Sequence, residues 1–557
     1  MKYDALFHAF ERQIIALGQM MHYTSSIWLG SVITTIGLFF WNGIVVGQAT
    51  IYRDTQPLLA EKLGEASIVL EAGRIDTQEL QRAIPSIYDD AETATWHVPL
   101  ADAKVSPSFL TSSYFYARKT RLIYKSYPLY HPDQEPDDYI NELKRTRPIV
   151  LWGDEDSGDK PKLETTKDWI QAGLLVYDNP IFFRPLEDVS YFRNPSWLND
   201  MRVPVAKDGT IPGIYYTVRE RGNIEIGIFS CATCHTRVIE DRSFAHGAQG
   251  NLPLARIEAW EIRNGKAGRD EEVRQAEFEY HGTPWISGNE NAGLLSMSKE
   301  DIAAARAAIP PGVYPNHNGS IFSPVHTADF IRLVARPHFD FTGHMRHRNV
   351  ADLMRFIDFH QWASRYASFG QYRPQPIPDP EQEERYSDEQ AFALALYAYL
   401  LEPPKNVNSM DALANQGRAV FEREGCAECH VPERGYTNHK LTIVDGFTVP
   451  VSHPEREHVM PQSVHTDSRY ALETRKGTGF YKVPSLLGVS RRGPFEHNGS
   501  CATLEDWFDG RRLADDYVPT GWKGVPGTSA RAVRGHEFGL DVTKDDKKAL
   551  IAFLRTL

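Results

Sequence analysis

A chain of 557 residues, 41% apolar and 24% charged, is long enough for several packed domains and ordinary in its balance. Its net charge of −12, with no basic run, speaks against nucleic acid as a partner and suits a basic carrier protein. Only five cysteines occur, and four fall in two Cys-x-x-Cys-His clusters, so the chain is not a disulfide scaffold.

In chain order, Leu6, Phe7, Phe10, Ile14 and Leu17 recur at helical spacing. They precede Ile27–Val46, twenty residues without a charge. That length matches one bilayer crossing. The alternative is a cleaved signal peptide, because Gly47-Gln48-Ala49 offers small residues at a cleavage position. The long leader favours a retained anchor, so residues 1–49 are expected to be a cytoplasmic leader and one transmembrane helix. Residues 50–151 form an N-terminal extension with one helical stretch near Glu61–Glu71.

Residues 152–404 carry the first cluster, Cys231-Ala-Thr-Cys234-His235. It follows Ile224–Phe229, an apolar run that reads as a strand. Four prolines, Pro374, Pro376, Pro378 and Pro380, then mark a loop. Ser387 and Gln390 have the spacing of a capping box, and Phe392, Leu396, Tyr399 and Leu400 form the stripe of a helix that Pro403-Pro404 stops. Residues 405–557 repeat the plan. A helical Met410–Glu424 leads into Cys426-Ala-Glu-Cys429-His430. A last helix carries Asp545 and Asp546 in its first turn and Leu550, Phe553, Leu554 and Leu557 on one face. Cys501, alone among small residues, reads as a buried hydrophobe.

Two thiols separated by two residues reach both vinyl groups of a haem, and the adjacent histidine aims its imidazole at the iron. A zinc site would need further ligands close by, and a redox dithiol would not need the histidine. Two covalent haems c are therefore expected, haem 1 on Cys231, Cys234 and His235, and haem 2 on Cys426, Cys429 and His430. Bacterial attachment of this kind takes place outside the cytoplasmic membrane. The chain is accordingly expected to be single-pass, with its bulk periplasmic. The sixth ligand decides what each iron does. Beyond Cys429 there is one methionine, Met460, against His439, His453, His458, His465, His497 and His536.

Gly479–Val489, with Lys482-Val483-Pro484-Ser485-Leu486, and Gly493-Pro494-Phe495-Glu496-His497-Asn498-Gly499-Ser500 resemble the C-terminal module of the bacterial di-haem cytochrome c peroxidase and MauG superfamily. Asp168–Gly173, Asp515–Gly521 and Gly535–Leu540 are similar to its rubber-oxygenase branch, whose members cleave polyisoprene with oxygen. The resemblance covers 406–557 well. The first module departs from it and carries instead the aromatic and His-rich His338–Asn349.

The resemblance implies a mainly α fold: two cytochrome c modules facing one another, with loop-rich insertions. It implies His536 as second ligand of haem 2, and it allows a calcium ion between the haems, though no acidic cluster has decisive spacing. The function so implied is that of an oxidoreductase, peroxidase-like or oxygenase-like, in which haem 1 meets peroxide or oxygen and haem 2 relays electrons. The donor would be a redox partner protein or a quinol-linked carrier. The alternative is a membrane-tethered electron carrier with no substrate chemistry. Some 250 residues around haem 1 suit a built pocket better than a shuttle. Catalytic side chains are not named by the sequence; His344–Trp362, with Arg348, Phe356, Phe359 and His360, is the region to inspect.

Overall fold

The computed structural model describes residues 55–71, 74–102, 119–154, 160–280, 293–315, 320–366, 384–401, 403–527 and 532–557. Two helix pairs organise residues 57–557, and each pair brackets one haem motif. The first joins α1 (Thr166–Asp178) to a later helix, Asp388–Leu400. Thr165 caps α1 reciprocally with Asp168, and Trp169, Ala172, Gly173 and Val176 are buried.

Three strands between α1 and the first motif join one earlier strand in an antiparallel sheet. In chain order its strands are β1 (Ser126–Tyr130), β2 (Phe182–Pro185), β3 (Thr210–Glu220) and β4 (Asn223–Ile228). In space the order is β1-β3-β4-β2, with Tyr216 opposite Ile226 and Gly227 opposite Phe183. Ile211, Ile214, Tyr216, Val218, Ile224 and Ile226 pack into one core with Tyr191, Phe192 and Trp197. Each such side chain contributes roughly 1.5–3 kcal/mol on burial. The motif follows as a short helix, α2 (Cys231–His235).

The helix after the motif, α3 (Asp388–Leu400), closes on α1. Ser387 and Gln390 form the expected capping box, but Gln390 to Tyr399 are all buried, so the helix is enclosed rather than striped. A Cβ on Gly173 would stand 2.1 Å from the Ala393 carbonyl oxygen, which shows how closely the two backbones cross.

The second pair is α4 (Ala412–Arg423) and α5 (Lys544–Arg555), crossing at Gly417, where a Cβ would stand 1.9 Å from the Ala549 carbonyl oxygen. Val420, Phe421, Leu550, Phe553 and Leu554 form its core, with Cys426 at the edge. Asp411 caps α4 and Thr543 caps α5. Cys501 is fully buried, as its neighbours suggested.

Two expectations are corrected. The fold is not mainly α: helix accounts for 40% and strand for 14%, spread over several small sheets. The largest has three of its four strands between α1 and the first Cys-x-x-Cys-His motif, and its strands β1 and β3 pair across 80 to 91 positions, a separation no local pattern reports. The N-terminal anchor is also unsupported. No helix among the described residues is long and apolar enough to cross a membrane. Ile27–Val46, on which that expectation rested, lies outside them. The single-pass, periplasmic placement is withdrawn with it. The proline-studded 374–383 likewise lies outside the described residues. The helical stretch at Glu61–Glu71 is two helices, Thr55–Leu63 and Glu65–Glu71, broken at Gly64 with φ +57°.

Candidate haem centres

The first motif is held from every side by local chemistry. Ser230 caps α2, and Thr233, one of the two residues between the cysteines, completes the capping box. Thr233 Oγ1 also donates to the Gly213 carbonyl on β3 at 2.7 Å. Only glycine fits there, because a Cβ would stand 2.3 Å from Thr233 Cα and φ is +71°. Tyr177, on α1, donates from its hydroxyl to the His235 carbonyl at 2.6 Å, and Gly250 N–H donates to the Cys234 carbonyl at 2.9 Å. The inserted sheet and the leading helix thus grip the same turn.

His235 Nδ1 lies 2.9 Å from the Ala328 carbonyl oxygen. A proton on Nδ1 makes that bond and leaves the Nε2 lone pair free for a metal, which is how ligating histidines are commonly oriented. Phe330 lies against the ring, centroids 4.2 Å apart. Burial pushes the His235 imidazole down to about 4, so it is neutral and ready to ligate at neutral pH.

The second motif repeats this arrangement on a different scaffold. Gly425, at φ +74°, turns the chain out of α4, and His430 N–H donates to the Cys426 carbonyl at 2.9 Å. His430 Nδ1 lies 3.0 Å from the Tyr436 carbonyl oxygen. Opposite it stands His536, ring centroids 6.5 Å apart at an interplanar angle of 59°. Two imidazoles bound to opposite faces of one metal, each through a bond of ~2 Å, place their centroids about 6 Å apart. Burial, then His430 and Arg512, push His536 down to about 3. Its Nδ1 is buried without a hydrogen-bond partner. Arg512 holds this segment, donating to the carbonyls of Trp507 at 2.8 Å, Val533 at 2.9 Å and His536 at 2.8 Å.

Four of the five other candidate histidines have partners elsewhere. His453 accepts from Glu455 N–H, His458 meets the Glu455 carboxylate, His465 meets Asp445, and His497 stacks on Tyr481. Met460 sulfur accepts from Asn438.

The thiols are unpaired. Burial pushes Cys231 and Cys234 up to about 12 and Cys426 up to about 11. A redox dithiol or a zinc site uses thiolates, favoured by a lowered value. Among the described residues no three His, Cys, Asp or Glu side chains gather into a group that could hold a metal ion by themselves. That finding leaves the calcium expectation without a ligand group among those residues.

The region His344–Trp362 goes largely into packing. Arg348 Nε donates to Asp352 at 2.8 Å, Phe356 stacks on Phe339 at 4.5 Å and on His360 at 4.0 Å, and Phe359 meets Trp96 edge-on at 6.0 Å. The sequence reading missed the carbonyls of Ala328 and Tyr436, which no side-chain pattern announces. It also missed Arg512, whose signal is only an arginine nine residues past the helix cap Thr503.

Acid should unfold this protein readily. His326, His344 and His497 are pushed down by burial to about 4, about 3 and about 4. In the unfolded chain the same rings titrate near ~6.5. Between those values the unfolded chain binds more protons, so stability is lost as pH falls from ~6.5 towards ~4. By pH 5 each ring withdraws about 2 kcal/mol. Glu496 and Asp178, pushed up by burial to about 8 and about 6, work in the other direction and offset part of this loss. Denaturant midpoints at pH 7 and pH 5 should differ clearly; equal midpoints would mean these rings are not held neutral.

No protein-family model matches the chain, and no curated protein matches it. Among solved structures, hydrazine synthase of Kuenenia stuttgartiensis, pressurised with xenon, matches at a TM-score of 0.27 and 14% identity, covering 54% of this chain and 92% of that one. Likeness at that level carries no argument about this chain.

Proposed function

We propose that this chain is a di-haem c-type cytochrome acting as an oxidoreductase, in which haem 2 relays electrons and haem 1 meets peroxide or oxygen. The observation that carries this reading is the paired geometry of the motif histidines. Both have Nδ1 within hydrogen-bond distance of a backbone carbonyl, and one of them faces a second imidazole at the spacing of two axial ligands. Haem supplies iron that cycles between ferrous and ferric and, where one side is open, accepts a small ligand.

The protein's part is orientation. Ala328 and Tyr436 hold their imidazoles by Nδ1, so that Nε2 points away as a lone pair. Arg512 fixes the His536 segment by three carbonyls at once. At His235 the ring of Phe330 lies tilted against the face of the imidazole. The sheet inserted ahead of that motif gives the first module a wall that the second lacks, which suits a pocket around haem 1. A redox partner protein or a quinol-linked donor would supply electrons through haem 2.

Carbon monoxide titration of the reduced protein, and cyanide titration of the oxidised protein, test the division of labour. One binding event per chain is expected in the wild type, lost in His235→Gly, and a second event should appear in His536→Gly, where the position facing His430 is vacated. Binding at neither haem in both redox states would replace this reading with a pure electron carrier.

A further inference from the structure

Between the two motif histidines runs a seam of cations with too few carboxylates to match them. Asp329 follows Ala328, the residue whose carbonyl holds His235. Its carboxylate takes Arg336 Nη2 at 2.7 Å and Arg492 Nη2 at 2.8 Å, so two guanidiniums share one acid. Arg492 reaches on to the Ser485 carbonyl at 2.6 Å, and its Nε is buried without a partner. Arg332 lies against Gly435, beside the Tyr436 that holds His430, and its Nε is also buried without a partner.

Lys482 donates to the His338 carbonyl at 3.1 Å and has no ion pair among the described residues. Burial, reinforced by Arg336, pushes its ammonium down to about 7 against the opposing pull of Asp340 and Asp329. Burial, and after it Arg332, Arg434, Arg336 and Lys482, push the His439 imidazole down to about 4. Lys476 does not relieve the excess, because it is paired with Asp340.

With Lys476 and Asp340 included, five cations thus face two carboxylates. Uncompensated charge in a desolvated setting is expensive, by several kcal/mol per ion. An arrangement of this kind is stable when an anion of matching shape completes it, and guanidinium forks match carboxylates.

We propose that this seam binds haem carboxylates, with Arg332, Arg336 and Lys482 as the direct partners and the Arg336–Asp329–Arg492 bridge holding the guanidiniums in place. The proposal rests on the di-haem reading and deepens it. Each haem carries two propionates, and the seam lies next to the anchoring segments of both motif histidines. One cradle would then serve both haems and set their potentials together.

The test uses the full-length holoprotein and variants Lys482→Met and Lys482→Arg. Midpoint potentials of both haems are read by spectroelectrochemistry. Carboxylate bands are read by redox-difference infrared with haem ¹³C-labelled at the propionates. Removing a cation near the iron favours the ferric state, so Lys482→Met should lower the ferrous-to-ferric ratio of one haem about tenfold at fixed potential, or ~59 mV. It should also shift a labelled band, and Lys482→Arg should restore both. If Lys482→Met loses its haem, Arg336→Gln gives the same comparison with the same expected change.

Two covalent haems in the wild type, with potentials and labelled bands unmoved in the variants, would overturn the cradle alone. A wild-type chain carrying no covalent haem would overturn the di-haem reading and the cradle with it.

Discussion

Replacing His536 with alanine should turn one of the two haems from low-spin to high-spin in the oxidised protein. The second axial ligand decides the spin state, and His536 is the ring that faces His430. Its partners are few: Trp507 edge-on at 5.3 Å, Phe538 at 5.7 Å, and no hydrogen bond at Nδ1. The ring therefore contributes little to packing that alanine would disturb. The Arg512 bonds go to backbone carbonyls and survive the change. Electron paramagnetic resonance should show the loss of one low-spin signal, and added imidazole should bring it back. An unchanged spectrum in His536→Ala would move the ligand to another residue.

Gly417→Ala should destabilise the second module by about 3 kcal/mol or more, the upper end of what overpacking costs. The added methyl would stand 1.9 Å from the Ala549 carbonyl oxygen, a backbone atom that no rotamer change can move aside. Relief requires α4 and α5 to separate, which opens the core of Val420, Phe421, Leu550 and Phe553. A folded domain has only ~5–15 kcal/mol to lose. Thermal unfolding should begin well below the wild type, with loss of the haem 2 signal first. A midpoint within a degree of wild type would show that the two helices do not meet as closely as this. Gly173→Ala tests the same crossing in the first module, where the contact is with the Ala393 carbonyl.

These two glycines also show what sequence reasoning reaches. The two Cys-x-x-Cys-His motifs, the capping box at Ser387, the helix after Asp411 and the last helix were legible because each signal is local. The equivalence of the modules was half legible. The helix leading into Cys426 stands directly before its motif, but its counterpart Thr166–Asp178 is separated from Cys231 by the inserted strands.

That insertion defeated the mainly α reading. Its longest strand, Thr210–Glu220, contains Pro212 and Gly213, which read as a turn. The glycine is there because the motif turn packs on it, a long-range reason with no local signature. The second ligand of haem 2 came from resemblance, since six histidines and one methionine were open on composition alone. The structure sets one of the six across from His430. The cationic seam was invisible for a plainer reason: the pair Asp329 and Arg336 lies about 150 positions before the pair Lys482 and Arg492, and each residue is ordinary by itself.

The central claim, two haems bound covalently through Cys231, Cys234, Cys426 and Cys429, is most directly tested by the mass of the denatured chain after acid-acetone extraction. The account predicts a polypeptide heavier by two haems, falling to one haem when Cys231 and Cys234 are both replaced by alanine. A chain of bare polypeptide mass, with free haem or zinc in the extract, would contradict it.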